Sequence, residues 1–236
     1  NDRERIRMSS LMSEVTSGLE ASWVEGLSEV SPLRGEWEKL SAESEPEFYF
    51  CYDFVELCLR HAAREGKLAV VVAIREEGRL VGVFPFELYR ARRFGLRRNV
   101  LRFAGGCFSP VSGGLVQRGK ERVAGLCCAQ HLLGPARKKW DVFKSWGLRA
   151  EDLGVKSLLD GLRHGRVSLL SAEFAETSYL DLQRYSGFSH YYGELSSSTK
   201  RIIRRGERKL SSAGRLKLAL YENDAQDIDA ALADYK

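Results

Sequence analysis

The chain has 236 residues, of which 44% are hydrophobic and 29% charged, with a formal net charge of +5. That is the make-up of an ordinary globular protein, long enough for one large or two modest domains with a real core. The longest unbroken apolar run, Leu68–Ile74, is far too short for a membrane-spanning helix.

The first 18 residues are polar and read as a frayed terminus. Leu19–Leu27 reads as a strand. "SPLRGEWEKLSAES" reads as a helix with Ser31 as N-cap and Pro32 at its first position, where a missing N–H costs nothing. "CYDFVELCLRHAARE" places apolar residues at 51, 54, 55, 58 and 62, the three-and-four spacing of an amphipathic helix. "KLAVVVAI" and "RLVGVFPFELY" flank "REEG", so residues 67–89 read as a β-hairpin whose dense apolar arms suit central strands. A further strand over 99–104 runs into "GGCFSPVSGG", a loop by composition.

Downstream, 123–133 and 151–164 read as helices. Residues 140–148, "RVSLLSAE" and "TSYLDL" read as strands. After Asp181 a polar, aromatic stretch, "QRYSGFSHYYGELSSS", leads to a basic helix, then a strand over 215–222 and a helix over 224–235. No internal repeat or low-complexity tract interrupts this alternation, which predicts a mixed α/β class.

The charge is unevenly spread. Residues 200–217 hold eight basic residues and one acid, a local +7, so the rest of the chain sums to −2. A second cluster, Arg90, Arg92, Arg93, Arg97, Arg98 and Arg102 in "YRARRFGLRRNVLRF", has no acid among residues 89–103. Two patches on a mildly acidic body imply localised anion contacts. On the basic helix, Thr199, Ile202, Ile203, Gly206, Leu210 and Ala213 form a stripe about 100° wide, which predicts docking on a core. The opposite face carries four like-charged pairs at i,i+4 (200/204, 204/208, 201/205 and 205/209), a penalty of about 1–2 kcal/mol in all. An external anion relieves it, as do carboxylates from elsewhere in the fold, or the face stays solvated. The candidate anion-binding residues are Lys200, Arg201, Arg204, Arg205 and Arg208. Nucleic acid is disfavoured as that anion because no zinc spacing, RNP-like strand or helix-turn-helix pattern accompanies the patch.

The five cysteines, an odd count without a C-x-x-C pair, are expected as buried reduced thiols. With no secretory signal pattern at the start, this predicts a cytoplasmic setting. His61, His131, His164 and His190 are scattered and carry no metal-ligand spacing, so no metal and no tightly bound cofactor is expected. No P-loop, dinucleotide fingerprint or G-x-S-x-G occurs, and the catalytic residues stay unassigned.

The order of features is itself informative. "EWEKL" precedes "FYFCYDFVELCL". The strand pair follows, then "VLRFAGG", "WDVF", "SYLDL" and "STKRIIRRGERKLSSAG". Over residues 19–236 this resembles the GNAT-superfamily acyltransferases grouped with the cellulose-biosynthesis protein CelD, relatives of the FemAB-type transferases. The resemblance implies an α/β fold of GNAT type, with a central, mostly antiparallel mixed sheet flanked by helices. It implies two tandem domains: a degenerate N-terminal one over 19–183, and a junction with the start of a second over 184–236. It also implies acyl-CoA (acetyl-CoA) as cosubstrate, an amine-bearing or glycan-precursor acceptor, and a role in envelope or exopolysaccharide synthesis; peripheral membrane association is a separate expectation. The superfamily's phosphate loop, R/Q-x-x-G-x-G/A, is not satisfied: "RFAGGC" from Arg102 and "RVAGLC" from Arg122 both end in cysteine. The loop is therefore expected beyond Lys236, in a longer parent protein, with the chain as given inactive. A non-enzymatic anion-binding or membrane-surface module is the rival expectation.

Overall fold

A computed structural model describes residues 16–44, 46–93, 95–165, 167–170 and 184–214. The chain divides into two compact units, residues 1–171 and 172–236.

In the first unit, β1 (Leu19–Glu25) is followed by a short helix α1 (Leu27–Val30), a 3-10 turn (Ser31–Leu33) and α2 (Arg34–Ser44). The expected Ser31 N-cap is not formed. Ser31 has helical φ and ψ, closes α1 and opens the 3-10 turn, with Pro32 second in it, so the chain winds continuously through this point. Helix α3 (Tyr52–Arg64) buries Tyr52, Val55, Cys58, Leu59 and Ala62, the stripe its spacing predicts. Strands β2 (Leu68–Glu76) and β3 (Arg79–Arg93) form the expected hairpin, with a turn tighter than "REEG" suggests. Glu77 and Gly78, at φ 49° and 79°, are its two central residues, the signature of a type I′ turn that matches strand twist. β3 runs four residues past Tyr89 and turns through Gly95 into β4 (Leu96–Phe103), which starts earlier than position 99.

Two-residue β5 (Leu115–Val116), α4 (Glu121–Leu133), two-residue β6 (Val142–Phe143) and α5 (Leu153–His164) complete the unit. Asp152 caps α5 by accepting from the Val155 N–H at 2.9 Å. Two sequence expectations are corrected here. The strand expected over 140–148 is only two residues long: it ends at Phe143, and Gly147 at φ 65° turns the chain further on. Only an isolated bridge, Ser112–Leu148, follows that turn. Residues 167–170, expected to open a strand, have no regular structure; the rest of that element, "TSYLDL", and the elements expected over 215–222 and 224–235 lie outside the described residues.

The sheet runs β1-β2-β3-β4-β6, with β5 on the β4 side of β3. Every pairing is antiparallel except β4 with β6, joined through the α4 crossover. This is the mixed α/β class that the sequence predicts. Helices α4 and α5 cover one face over Val70, Val72, Ile74, Phe84, Phe86, Leu101 and Phe103; α2 and α3 cover the other over Val71, Ala73 and Val83. Both faces of β2 and β3 are thus buried, which explains their near-continuous apolar sequence.

The second unit, as described, holds α6 (Phe188–Glu194), which sequence periodicity did not suggest, and α7 (Ser197–Ala213). Ser196 caps α7 by accepting from the Thr199 N–H at 3.2 Å.

Candidate functional site

The sheet unit contains a local split with a sequence cause. Along one side of β3, Gly82 and Val83 pair with β5, and Phe86 onward pairs with β4. Pro85 lies between. Its carbonyl accepts from the Ala104 N–H at 3.0 Å, so the N–H it lacks would have faced this same side. A proline is tolerated in a central strand only where no ladder bond is required, and here none is.

Below the split lies an open hollow lined by Tyr49, Phe54, Cys58, Pro85, Ala104 and Ser109, among others. Its chemistry is that of a contact surface. Ser109 donates its hydroxyl proton to the Val111 carbonyl, and burial pushes the Cys58 thiol up, so neither is an activated nucleophile. The Gly105–Gly114 loop is packed tightly around it. A Cβ at Gly114 would lie 2.5 Å from the Val83 carbonyl oxygen, and one at Gly105 would lie 2.8 Å from the Ser109 Cβ.

Beside the hollow stands a buried ion pair that sequence reasoning missed. Glu87, 3% exposed, sits directly across the β3–β4 ladder from Arg102 and pairs with it; Lys67 Nζ lies 3.7 Å from the same carboxylate. The Arg102 guanidinium stacks between the rings of Tyr89, at 5.3 Å, and Trp146, at 4.9 Å. The Trp146 indole N–H donates to the Gly106 carbonyl at 3.2 Å, which ties the segment after β6 to the loop after β4. The C-terminal end of the parallel strand pair is thereby occupied by protein side chains. The available signal was a single acid, Glu87, inside the apolar run "VFPFELY", because a buried carboxylate requires a partner.

The sequence-predicted anion residues all lie on α7, in the second unit, with Arg201, Arg204, Arg205 and Arg208 exposed and Lys200 half-buried. Lys200 Nζ donates to the Gly193 carbonyl at 2.8 Å, and Arg204 Nε to the Tyr192 hydroxyl at 3.1 Å. Among the described residues, no carboxylate lies within ion-pairing distance of Lys200, Arg201, Arg204, Arg205 or Arg208. The expected burial of the opposite stripe is corrected: Ile202 is 70% exposed and Leu210 54%, with Thr199 and Ile203 half-buried. Among the described residues, α6 packs on α7 through Tyr192 on the Lys200–Arg204 side and not on the apolar stripe.

The cysteines are described at four positions, Cys51, Cys58, Cys127 and Cys128, all free thiols. Burial pushes Cys127 up to about 11 and Cys128 well above the usual thiol range. Among the described residues, no group of three or more His, Cys, Asp or Glu is placed to hold a metal ion, and no helix is long and apolar enough to cross a membrane.

No protein-family model matches the sequence, and neither does any curated protein. Solved structures do overlap with it. An aminoglycoside acetyltransferase from an uncultured soil metagenomic sample, in complex with trehalose, is similar at a TM-score of 0.39 and 11% identity, over 69% of this chain and 97% of that one. Its complex with sisomicin gives 0.40 and 12%, over 70% and 99%. A ribosomal-protein-alanine N-acetyltransferase from Brucella melitensis biovar Abortus 2308 gives 0.37 and 17%, over 69% and 98%. Overlap of this extent assigns no residue and no activity to the chain.

Proposed function

We propose that the chain is part of a GNAT-type N-acyltransferase that uses acyl-CoA (acetyl-CoA) as cosubstrate. In this reading residues 19–183 form a non-catalytic half and residues 184–236 lead into the acyl-transferring half. The acceptor is an amine-bearing molecule or glycan precursor, and the setting is envelope or exopolysaccharide (cellulose) synthesis, as the CelD-like order of sequence features implies.

The observation that carries this reading is the parallel pairing of β4 with β6, among described strands that otherwise pair antiparallel. In this reading the C-terminal end of the β4–β6 pair is the opening at which such a transferase would hold its acyl-CoA. Here the opening is filled by the Tyr89–Arg102–Trp146 stack, and 17 residues separate β4 from α4. Gly105 is followed directly only by a three-residue 3-10 turn, Gly106–Phe108, and not by an α-helix N-terminus able to hold a pyrophosphate. A filled opening supports the non-catalytic assignment for this half, and it leaves Lys200, Arg201, Arg204, Arg205 and Arg208 as the phosphate contact.

Titration calorimetry with coenzyme A tests the proposal. Binding is expected to weaken steeply between about 50 and 200 mM salt. Arg204→Glu with Arg208→Glu is expected to weaken it at least about tenfold, or about 1.4 kcal/mol. Undiminished binding by the double variant removes the helix from the site, and acetyl transfer by this chain alone removes the non-catalytic assignment.

A further inference from the structure

The other basic cluster lies on a different device. Strand β2 leaves β3 at the Leu68–Leu88 pair, and β6 meets β4 no further out than Val100. Among the described residues, Arg90–Arg93 and Leu96–Asn99 therefore continue as a two-stranded ribbon with no third strand beside it. Four rungs at about 3.4 Å per residue make an arm about 14 Å long.

The register sorts its side chains. Arg92 lies directly opposite Arg97, and Arg90, two residues away on the same face, lies opposite Asn99; Arg98 lies on the other face, opposite Ala91. Arg90, Arg92, Arg97 and Arg98 are exposed, and among the described residues no carboxylate is within ion-pairing distance of any of them. The nearest acid in the ladder, Asp141, is at the base, where it accepts from the Asn99 backbone N–H at 2.7 Å. Like charges directly opposite one another destabilise a strand pair, so the ribbon is built against its own stability. Charges on an exposed edge guard against aggregation, but that role does not explain the end of the arm. There Leu96 is 57% exposed, in a sequence, Arg92-Arg93-Phe94-Gly95-Leu96-Arg97-Arg98, that brackets two apolar residues with two pairs of arginines.

We propose that this hairpin arm docks end-on on an anionic lipid surface, with Leu96 entering the headgroup layer and the arginines around it meeting lipid phosphates and carboxylates. Charge on both faces and an apolar end suit insertion along the axis of the arm. A ribbon that lies in a nucleic-acid groove presents one face and has no use for an exposed leucine at its end. Basic residues beside an acidic leaflet are each drawn to it within about a Debye length, and an apolar end adds a contribution that salt does not screen.

The test is co-sedimentation of the full 236-residue chain with vesicles of 30% phosphatidylserine in phosphatidylcholine, and with pure phosphatidylcholine, at about 0.1 M salt. Binding is expected to the acidic vesicles only. Arg92→Gln with Arg97→Gln is expected to weaken it at least tenfold while leaving the thermal transition unchanged or raised, since it relieves a repulsion. Leu96→Asp is expected to weaken it at least threefold. Lys138→Gln with Lys156→Gln, at exposed lysines elsewhere in the sheet unit, is expected to stay within twofold of the parent. Failure of the parent to bind acidic vesicles overturns the proposal, as does full binding by the folded Arg92/Arg97 variant. So does a Leu96→Asp variant that binds normally while a 30-base-pair DNA duplex competes the chain off the vesicles, which would assign the arm to nucleic acid.

Discussion

Helices α3 and α7 carry the same kind of pattern and end in opposite situations. Both are strongly amphipathic. Yet α3 buries Val55, Cys58, Leu59 and Ala62 under the sheet, whereas no residue of α7 is buried and Ile202 stands 70% exposed. Charge follows the same division. In the sheet unit Glu87 and Arg102 are paired out of solvent, while the arginines of α7 have no carboxylate partner among the described residues. Periodicity thus specifies that a stripe exists, but an element remote in sequence decides whether it is covered. For α3 that element is the β2–β3 hairpin, which follows at once. For α7 the described neighbour is α6, which sits on the cationic side.

The widest gap between the two regions is expected from charge deletion. Glu87→Ala leaves the Arg102 guanidinium and the Lys67 ammonium without their buried acid and is expected to cost about 3–5 kcal/mol. Arg204→Ala on α7 is expected to cost no more than about 0.5 kcal/mol. Urea unfolding followed by tryptophan emission reads the first directly, because Trp23, Trp37, Trp140 and Trp146 all lie in the sheet unit; circular dichroism reads the second. Equal small effects would erase the distinction between buried and displayed charge.

Apolar truncation sharpens the same contrast. Leu59, fully buried, is expected to lose about 2–5 kcal/mol on replacement by Ala. Ile202→Ala is expected to stay within about 0.5 kcal/mol. A large loss at Ile202 would mean that its stripe is covered in solution.

Two glycines make opposite predictions for one substitution. Gly114→Ala drives a Cβ to 2.5 Å from the Val83 carbonyl oxygen and is expected to destabilise by about 1–3 kcal/mol. Gly206 lies in the middle of α7, where an added Cβ would meet nothing within 4 Å. Its replacement by Ala is expected to gain up to about 1 kcal/mol of helix stability. Melting curves for the two variants should shift in opposite directions.

A final effect, confined to alkaline conditions, concerns pH. The Cys127 thiol is pushed up to about 11 in the folded chain, above its ordinary value of 9.0. The unfolded chain therefore loses this proton first. The stabilisation is complete below about pH 9 and is lost as pH rises through about 11, at about 1.4 kcal/mol per pH unit for one thiol. Urea midpoints at pH 8, 9.5 and 10.5 should fall less steeply for Cys127→Ala than for the parent; identical slopes would contradict a buried thiol.

Much of the sheet unit was legible because its signals are local. The apolar runs of β2 and β3, the Glu77–Gly78 turn and the spacing of α3 each declare an element without reference to a partner. What escaped depended on register. Glu87 meets Arg102 because residues 86–93 pair with 96–103, and Pro85 marks a split only because β5 stops short of it. The brevity of β6 depended on how far β4 offers it a partner, and the exposure of Ile202 on where Tyr192 rests. Of the candidate site, the cationic residues of α7 were legible as a like-charged face, and the side chains that fill the β4–β6 opening were not.

The central claim is that the parallel-strand opening of the sheet unit is closed and that phosphate contact belongs to α7. Titration of the 15N-labelled chain with coenzyme A, followed by backbone amide shifts, tests it most directly. The account predicts movement concentrated at Lys200–Arg208, with Gly105 and Gly106 unmoved. Shifts centred on Gly105 and Gly106, with α7 silent, would contradict it.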